Sequence, residues 1–335
     1  MTAGPAPRRA ADPARIVFFG SGDFAVPILD ALAAEPRARI VGVVTAPARP
    51  AGRTRALALT PVARRADALG LELLQPVRVR SAEAVADVAA LRPDLGVLAD
   101  YGQIIPSALL ELPRRGILNV HPSLLPRHRG ATPIPATIAA GDSRAGVSII
   151  RMDEGIDTGP IVASRDWALL GTERAPELAA EASRRGATLL REVLGMWLEG
   201  DVEPRAQGTD GASLTRPFRR EDARLDPTRP ARELERVVRA HLPWPGSFLD
   251  TDLGRVTVHA ASLADSEPGD APGLLVEHGG RLALATPEGR LVLDEAQRAG
   301  RRPAAGEEFL RGQRQLIGTR ATAAAASPGL QVAAT

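Results

Sequence analysis

The apolar and polar positions divide this chain into two kinds of text. In the first, short apolar runs alternate with amphipathic stretches. Arg15-Ile16-Val17-Phe18-Phe19-Gly20 reads as a buried strand ending in a glycine turn, and Phe24 to Ala34 then carries a helical period. Arg39 to Thr45 is a second, β-branched strand, Pro47 to Gly52 a loop, and Val62 to Leu69 a helix. Pro93 to Ala99 and Gly116 to His121 predict two further strands. Strands alternating with helices pair in parallel and build an open doubly wound sheet, so the predicted class is α/β. Pro176 to Glu199 predicts a long amphipathic helix with Leu178, Ala182, Leu189, Leu190, Val193 and Leu194 largely on one side. Pro176 suits its first turn, where a missing N–H costs nothing.

Past Gly200 the pattern changes. Gly208, Asp210, Gly211 and Ser213 mark a linker, and Ala231 to Ala240 predicts a helix stopped by Pro243 and Pro245. Then come short apolar runs between Gly/Asp/Glu turns: Gly254 to His259, Gly273 to Val276, Arg281 to Ala285 and Arg290 to Leu293. That pattern predicts a small β-barrel or sandwich. The expected organisation is a disordered extension over 1–14, a Rossmann-like α/β domain with a mostly parallel sheet over 15–205, and a linker over 206–214. A smaller β-barrel domain over 215–318 and an Ala-rich disordered tail over 319–335 complete it.

Composition narrows the chemistry. At 335 residues the chain is long enough for two cores. It has no cysteine, which removes disulfides, Cys-ligated zinc and thiol catalysis. No apolar run approaches the roughly 20 residues that span a bilayer, and the N-terminus lacks the apolar core of a secretory signal. The cytoplasm is therefore the expected location. Net charge is only +2, and all 42 Lys+Arg residues are arginine. A run of arginines without an acid (Arg37, Arg39, Arg49, Arg53, Arg55, Arg64, Arg65) lies between Pro36 and Ala66. It reads either as a solvated basic face, the blander alternative, or as a surface facing phosphates.

Two motifs compete for the chemistry. Gly20-Ser21-Gly22-Asp23-Phe24-Ala25 follows a strand and fits a dinucleotide fingerprint. The second strand, however, ends Val43-Val44-Thr45-Ala46 without the acid that holds a ribose, which favours a plain glycine turn over a nicotinamide-dependent oxidoreductase. The other motif, Gly116 to Pro126, sets Asn119 and His121 two apart at a strand end, on one face of the sheet. Ligands of open α/β sheets gather at the carboxyl ends of strands. Asn119 brings an amide donor and His121 a group able to donate or to exchange a proton near neutrality. Met152 to Gly159 adds Asp153, Glu154 and Asp157, any of which offers a carboxylate to orient His121. Each residue has a bland alternative: a structural histidine, a turn-forming aspartate. Ser123 invites a hydrolase reading, but no G-x-S-x-G elbow surrounds it. His121, His128 and Asp157 match no compact metal-ligand spacing, so no metal is expected.

Asn119-Val120-His121-Pro122-Ser123-Leu124-Leu125-Pro126, followed by Arg129-Gly130 and by Met152 to Gly159, resembles the folate-dependent formyltransferases. Phe18 to Pro27, Arg49-Pro50-Ala51-Gly52-Arg53, Tyr101 to Pro106, Glu221 to Asp226, Pro243-Trp244-Pro245-Gly246 and Glu308 to Gly312 are similar to the branch of that family acting on a charged tRNA. The chain departs from that pattern at Ala48, Pro135 and Pro217. The resemblance implies Asn119, His121 and Asp157 as the catalytic set, and Ser123, Leu124, Leu125, Pro126, Tyr101 and Gly102 as folate contacts. It implies Arg49, Arg53 and Arg55 as tRNA contacts. It further implies a Rossmann-like formyltransferase domain joined to an OB-like barrel, 10-formyltetrahydrofolate as formyl donor, and initiator methionyl-tRNA as acceptor. No metal, no NAD and a monomer acting in translation initiation complete the expectation. The alternatives kept beside it are a formyltransferase for a nucleotide-linked amino sugar, an NAD(P)-dependent oxidoreductase, and a nucleic-acid-binding module without catalysis.

Overall fold

The computed structural model describes residues 12–51 and 56–323. The chain groups into two compact units, one of residues 1–124, 146–165 and 181–208, the other of residues 125–145, 166–180 and 209–335. Residues 1–11 of the extension expected over 1–14, Arg53 and Arg55, and the tail beyond 323 lie outside the described residues, and Ala14, expected in the extension, already belongs to the first strand.

The first unit is built on a seven-stranded sheet. Strand β1 (Ala14–Gly20) leads through a 3-10 turn at Asp23–Ala25 into α1 (Val26–Ala33), and β2 (Ala38–Val44) returns parallel to β1. The segment expected as a plain loop pairs instead as a hairpin of β3 (Arg49–Ala51) and β4 (Ala56–Ala58). Its Pro and Gly content hid the pairing, because the flanking strands are only three residues long. Helix α2 (Pro61–Ala68) starts where the Thr60 hydroxyl accepts from the Ala63 N–H, and α3 (Ala82–Ala90) where Ser81 does the same for Ala84. Between them lies β5 (Leu73–Leu74), the edge of the sheet beside β2. Next come β6 (Leu95–Ala99), the short α4 (Ser107–Leu110) and β7 (Ile117–His121). The chain then passes through β8 (Arg129–Gly130) and α5 (Pro133–Ala140), both in the second unit, before β9 (Arg144–Arg151) and β10 (Ile161–Ala168). The order is β10-β9-β7-β6-β1-β2-β5, parallel from β7 to β5 and antiparallel between β7 and β9. The strand order turns back between β1 and β6, and such a reversal opens a crevice at the carboxyl ends.

The long helix α6 (Ala175–Glu199) runs as the pattern predicted, with Leu178, Ala182, Leu189, Leu190, Val193 and Leu194 buried. Within the first unit it lies close to the sheet at Gly186, where a Cβ would come 2.8 Å from Val120 Cγ1. Below the site, Val17, Phe19, Leu98, Leu109 and Ile117 form one apolar cluster with the Tyr101 ring. Each fully buried side chain of this size stabilises by about 1.5–3 kcal/mol relative to an exposed one.

The second unit carries β11 (Leu214–Thr215), which pairs with β8, and α7 (Ala231–Ala240), which packs on α5. Beyond it are β12 (Ser247–Thr251), β13 (Gly254–Ala264), β14 (Leu275–His278), β15 (Arg281–Ala285), β16 (Arg290–Arg298) and β17 (Ala304–Ala305), then α8 (Gly306–Gly312). These strands form an antiparallel sheet of order β12-β13-β16-β15-β14 with β17 added on β16. Register irregularities on β13 around Ala260 bend it. Residues 320–321, expected in a disordered tail, are paired: Ala321 bridges Thr251 on β12 and Arg320 bridges Leu274 beside β14. They thus touch both edges of the sheet and curl it toward a barrel. Leu234, Val238, Leu249, Val256, Leu284, Leu293 and Leu316 fill its interior.

Candidate active site

Strand β7 is buried along its length, and the polar pair it carries is buried with it: Asn119 is 6% exposed and His121 5%. Alternation sends Asn119 and His121 to the face opposite Val120. Two buried polar side chains on an interior strand are costly unless paired, and the loop after β9 supplies the partner. Asn119 Nδ2 donates to Asp157 Oδ1 at 3.0 Å, and His121 Nδ1 lies 3.5 Å from Asp157 Oδ2. One carboxylate therefore orients both groups, an oxygen to each.

Asp157 reaches this position by an unusual backbone. Its φ is +52°, a region Asp and Asn tolerate better than most residues. The loop around it is tied at several points. Asp153 Oδ1 accepts from the Gly155 N–H at 3.1 Å and the Thr158 hydroxyl at 2.8 Å, which makes it a turn former. Glu154 accepts from Ser107 Oγ at 2.6 Å. A Cβ on Gly159 would sit 1.9 Å from the Arg151 carbonyl oxygen, so only glycine fits there. Gln207 Nε2 donates to the carbonyl oxygens of Asp157 and Gly159, both at 2.7 Å. Of the three acids in the motif, only Asp157 meets Asn119 and His121. Gln207 was missed by sequence reasoning, because it lies fifty residues beyond Asp157 in a stretch that reads as linker.

The other expected contacts divide. Ser123 is 1% exposed, its N–H donating to the His121 carbonyl at 2.9 Å and its own carbonyl accepting from Ser148 Oγ at 2.8 Å. Leu124 is half-buried over Gly146, and Leu125 and Pro126 begin the next segment of chain through a cis peptide. Tyr101 turns its ring into the core, 5.8 Å from Phe19 and edge-on; among the described residues its hydroxyl has no hydrogen-bond partner, and burial pushes its pKa up to about 12. Gly102 (φ +82°) is exposed, with open space where a Cβ would point. Arg49, on the hairpin, lines a cavity of about 230 Å³ together with Tyr101, Gly102, Gln103 and Thr60. Arg49, expected at the tRNA, thus shares one opening with Tyr101 and Gly102, expected at the folate, while Ser123, Leu124, Leu125 and Pro126 are not among its lining. Among the described residues no cluster of His, Cys, Asp and Glu is arranged to hold a metal ion.

The glycine turn after β1 is closed to a pyrophosphate. The N–H groups of Ser21 and Gly22 both donate to the Asp100 carbonyl, at 2.9 and 3.3 Å. The Asp100 carboxylate lies over the turn, with Oδ2 1.8 Å from where a Gly22 Cβ would be. Anion binding needs those N–H groups and no competing negative charge.

Residues 14–194 match the Formyl transferase family, and residues 217–314 the Formyl transferase, C-terminal domain. The chain is 44% identical over 301 residues to the methionyl-tRNA formyltransferase of Chloroflexus aggregans, covering 89% of this chain and 97% of that protein. It is 44% identical over 306 residues to that of Halorhodospira halophila, covering 91% and 98%. Among solved structures it is similar to an N-formyltransferase from Helicobacter canadensis in complex with folinic acid and dTDP-3-aminofucose, with a TM-score of 0.61 at 14% identity, covering 84% of this chain and 98% of that one. A sugar 3N-formyltransferase solved with dTDP and 5-N-formyl-THF gives 0.63 at 14% identity, covering 88% and 100%. At that identity these two likenesses concern the fold.

Proposed function

Because the chain belongs to the methionyl-tRNA formyltransferase family, we propose that it moves the formyl group of 10-formyltetrahydrofolate onto the methionine amine of initiator methionyl-tRNA. The observation that supports the catalytic assignment is the sharing of one Asp157 carboxylate by Asn119 and His121. The amine nitrogen attacks the formyl carbon, and the carbonyl π electrons move onto oxygen. Asn119 has a second Nδ2 hydrogen to offer that oxyanion, since the first is given to Asp157. His121, its Nδ1 side held against Asp157, offers Nε2 to the same charge or to the departing folate nitrogen. Donors fixed before the reaction cost no reorganisation when the charge appears. The attacking amine loses a proton, the bond from the formyl carbon to the folate nitrogen breaks, and that nitrogen takes up a proton. Atoms and charges then balance without a metal or a redox partner.

The folate is taken by the turn Tyr101-Gly102 and the Ser123-Leu124-Leu125-Pro126 segment. Because the Tyr101 ring is buried, its contribution is backbone. Arg49 meets the acceptor end of the tRNA, with Arg53 and Arg55 beside it in sequence. The catalytic domain is assigned to 15–205, a linker to 206–214 and the tRNA-binding domain to 215–318. The enzyme is taken to work in the cytoplasm as a monomer; among the described residues no helix is long and apolar enough to cross a membrane. Incubation with 10-formyltetrahydrofolate and methionyl-tRNA should yield formylmethionyl-tRNA. Formylation of a dTDP-linked amino sugar in place of the tRNA would point to the rival acceptor.

A further inference from the structure

The second unit holds an aromatic cluster that the proposed reaction does not use. The segment Arg216 to Asp222 is pinned by a two-armed pair, Arg216 Nη1 and Nη2 to the Asp222 carboxylate at 2.7 and 2.6 Å, and Asp222 also accepts from the Arg219 N–H at 2.6 Å. This fixes Phe218, whose ring packs edge-on against His241 at 4.9 Å and against Trp244 at 6.1 Å. His241 is 2% exposed and closes the turn after α7, its carbonyl accepting from the Gly246 N–H at 2.9 Å. Trp244 stands on that base, framed by Pro243 and Pro245, and is 55% exposed. Trp244 is the largest of the exposed apolar side chains among the described residues. Next to Phe218 in sequence, Arg219 and Arg220 are exposed, and among the described residues no carboxylate pairs with their side chains. Glu221 follows them, which leaves a net positive charge on the three.

One exposed indole, with two arginines next in sequence to the Phe218 that packs against it, lacks the breadth of a protein-docking surface, which needs on the order of 800 Å² per partner. It has the chemistry of a single-strand reader: a π-face for one base and cations for the phosphates on either side. We propose that Trp244, backed by Phe218, stacks one unpaired base of the tRNA, with Arg219 and Arg220 meeting its flanking phosphates. This rests on the reading of a tRNA as substrate and adds to it a named contact in the second unit. The stack is favoured because two prolines restrict the backbone at Trp244 and Phe218 packs against its ring, which lowers the ordering cost of binding.

The test uses the full chain. Trp167→Phe and Trp197→Phe together leave Trp244 as the sole indole, and its emission is followed during titration with a methionine tRNA transcript. Quenching that saturates with the binding isotherm is expected. In the otherwise unaltered protein, Trp244→Ala should weaken tRNA binding roughly five- to 150-fold, the range of a lost base stack. Trp244→Phe should recover most of that loss, and turnover at saturating methionyl-tRNA should stay near wild type. Arg219→Ala and Arg220→Ala should each lower the slope of log affinity against log salt by about 0.7 to 0.9. Unaltered emission at saturating tRNA, an unchanged affinity in Trp244→Ala, or a Phe variant as weak as the Ala variant overturns the proposal. If Trp244 is quenched while no formylated product forms, the stack stands and the proposed reaction fails. If product forms while Trp244→Ala binds normally, the reverse holds.

Discussion

Replacing Asp157 by asparagine isolates what the shared carboxylate does. The side chains are nearly isosteric, and asparagine tolerates a positive φ as well as aspartate does, so the +52° backbone is not strained. The chemistry does change. Asp157 uses both oxygens, Oδ1 accepting from Asn119 Nδ2 at 3.0 Å and Oδ2 lying 3.5 Å from His121 Nδ1. An amide has only one acceptor oxygen, so its NH2 must confront either the donor of Asn119 or the ring of His121. One of these two side chains, proposed as catalytic, loses its orienting partner. If that side chain donates to the oxyanion, the barrier rises by about 2.7–4 kcal/mol, or roughly 100- to 1000-fold in turnover. Single-turnover formylation of preloaded methionyl-tRNA, at saturating folate and tRNA, measures this step directly. Urea unfolding should show a midpoint near wild type, and the KM values should move little, because the contact is made to the reacting centre. A variant turning over within threefold of wild type would refute the idea that Asp157 acts through Asn119 and His121. Loss of KM alone would refute it equally.

Other outcomes follow from the same geometry. Asn119→Ala and His121→Ala should fold and lose at least about a hundredfold in turnover, checked by circular dichroism and steady-state kinetics. Gln207→Ala removes two hydrogen bonds to the Asp157 loop, worth about 1 kcal/mol each, and should lower turnover about tenfold with a matching rise in protease sensitivity near Asp157. Arg49→Ala should raise KM for the tRNA and leave folate binding nearly unchanged; an unchanged tRNA KM would remove Arg49 from that interface. His241 supplies a pH test. Burial lowers its pKa to about 4, against a weaker opposing pull from Asp222. The unfolded chain therefore takes up a proton near pH 6.5 that the folded chain refuses until about pH 4. That part of the stability is intact above 6.5 and is lost as pH falls toward 4, up to about 3 kcal/mol. His241→Phe should flatten the denaturation midpoint across this window; a slope like wild type would show that other groups set it.

The grouping at the candidate site was partly legible because it obeys short-range rules. Asn119 and His121 share a face through strand alternation, and the strand was plain from Ile117, Leu118 and Val120. That Asp157, rather than Asp153 or Glu154, meets them was not legible from the residues alone, since all three sit in one glycine-punctuated loop. The choice depends on the positive φ at Asp157 and on Gln207 holding the loop from fifty residues away. Strands β9 and β10 went unread for a related reason. Arg144–Arg151 is buried on both faces, so it shows a continuous run in place of alternation, and Ile161–Ala168 is half-exposed and broken by Ser164, Arg165 and Asp166. The hairpin at Arg49 was hidden by its proline. The dinucleotide alternative failed through a residue outside its motif: Asp100, after β6, takes the N–H groups of the turn and covers it.

The division of the chain bears on how it is made. Residues 125–145 belong with the later part of the sequence: β8 pairs with β11 at Leu214–Thr215, and α5 packs on α7, Ala231–Ala240. During synthesis this stretch leaves the ribosome about a hundred residues before its partners, at rates of roughly 5–20 residues per second. For some seconds Ile134 and Ile138 have nothing to be buried against. A chain released after Ala140 but before Ala231 would carry β7 and its Asn-x-His pair complete and still expose an apolar helix just downstream. Premature termination would thus create a substrate for chaperones and proteases before it could leave a working half-enzyme behind.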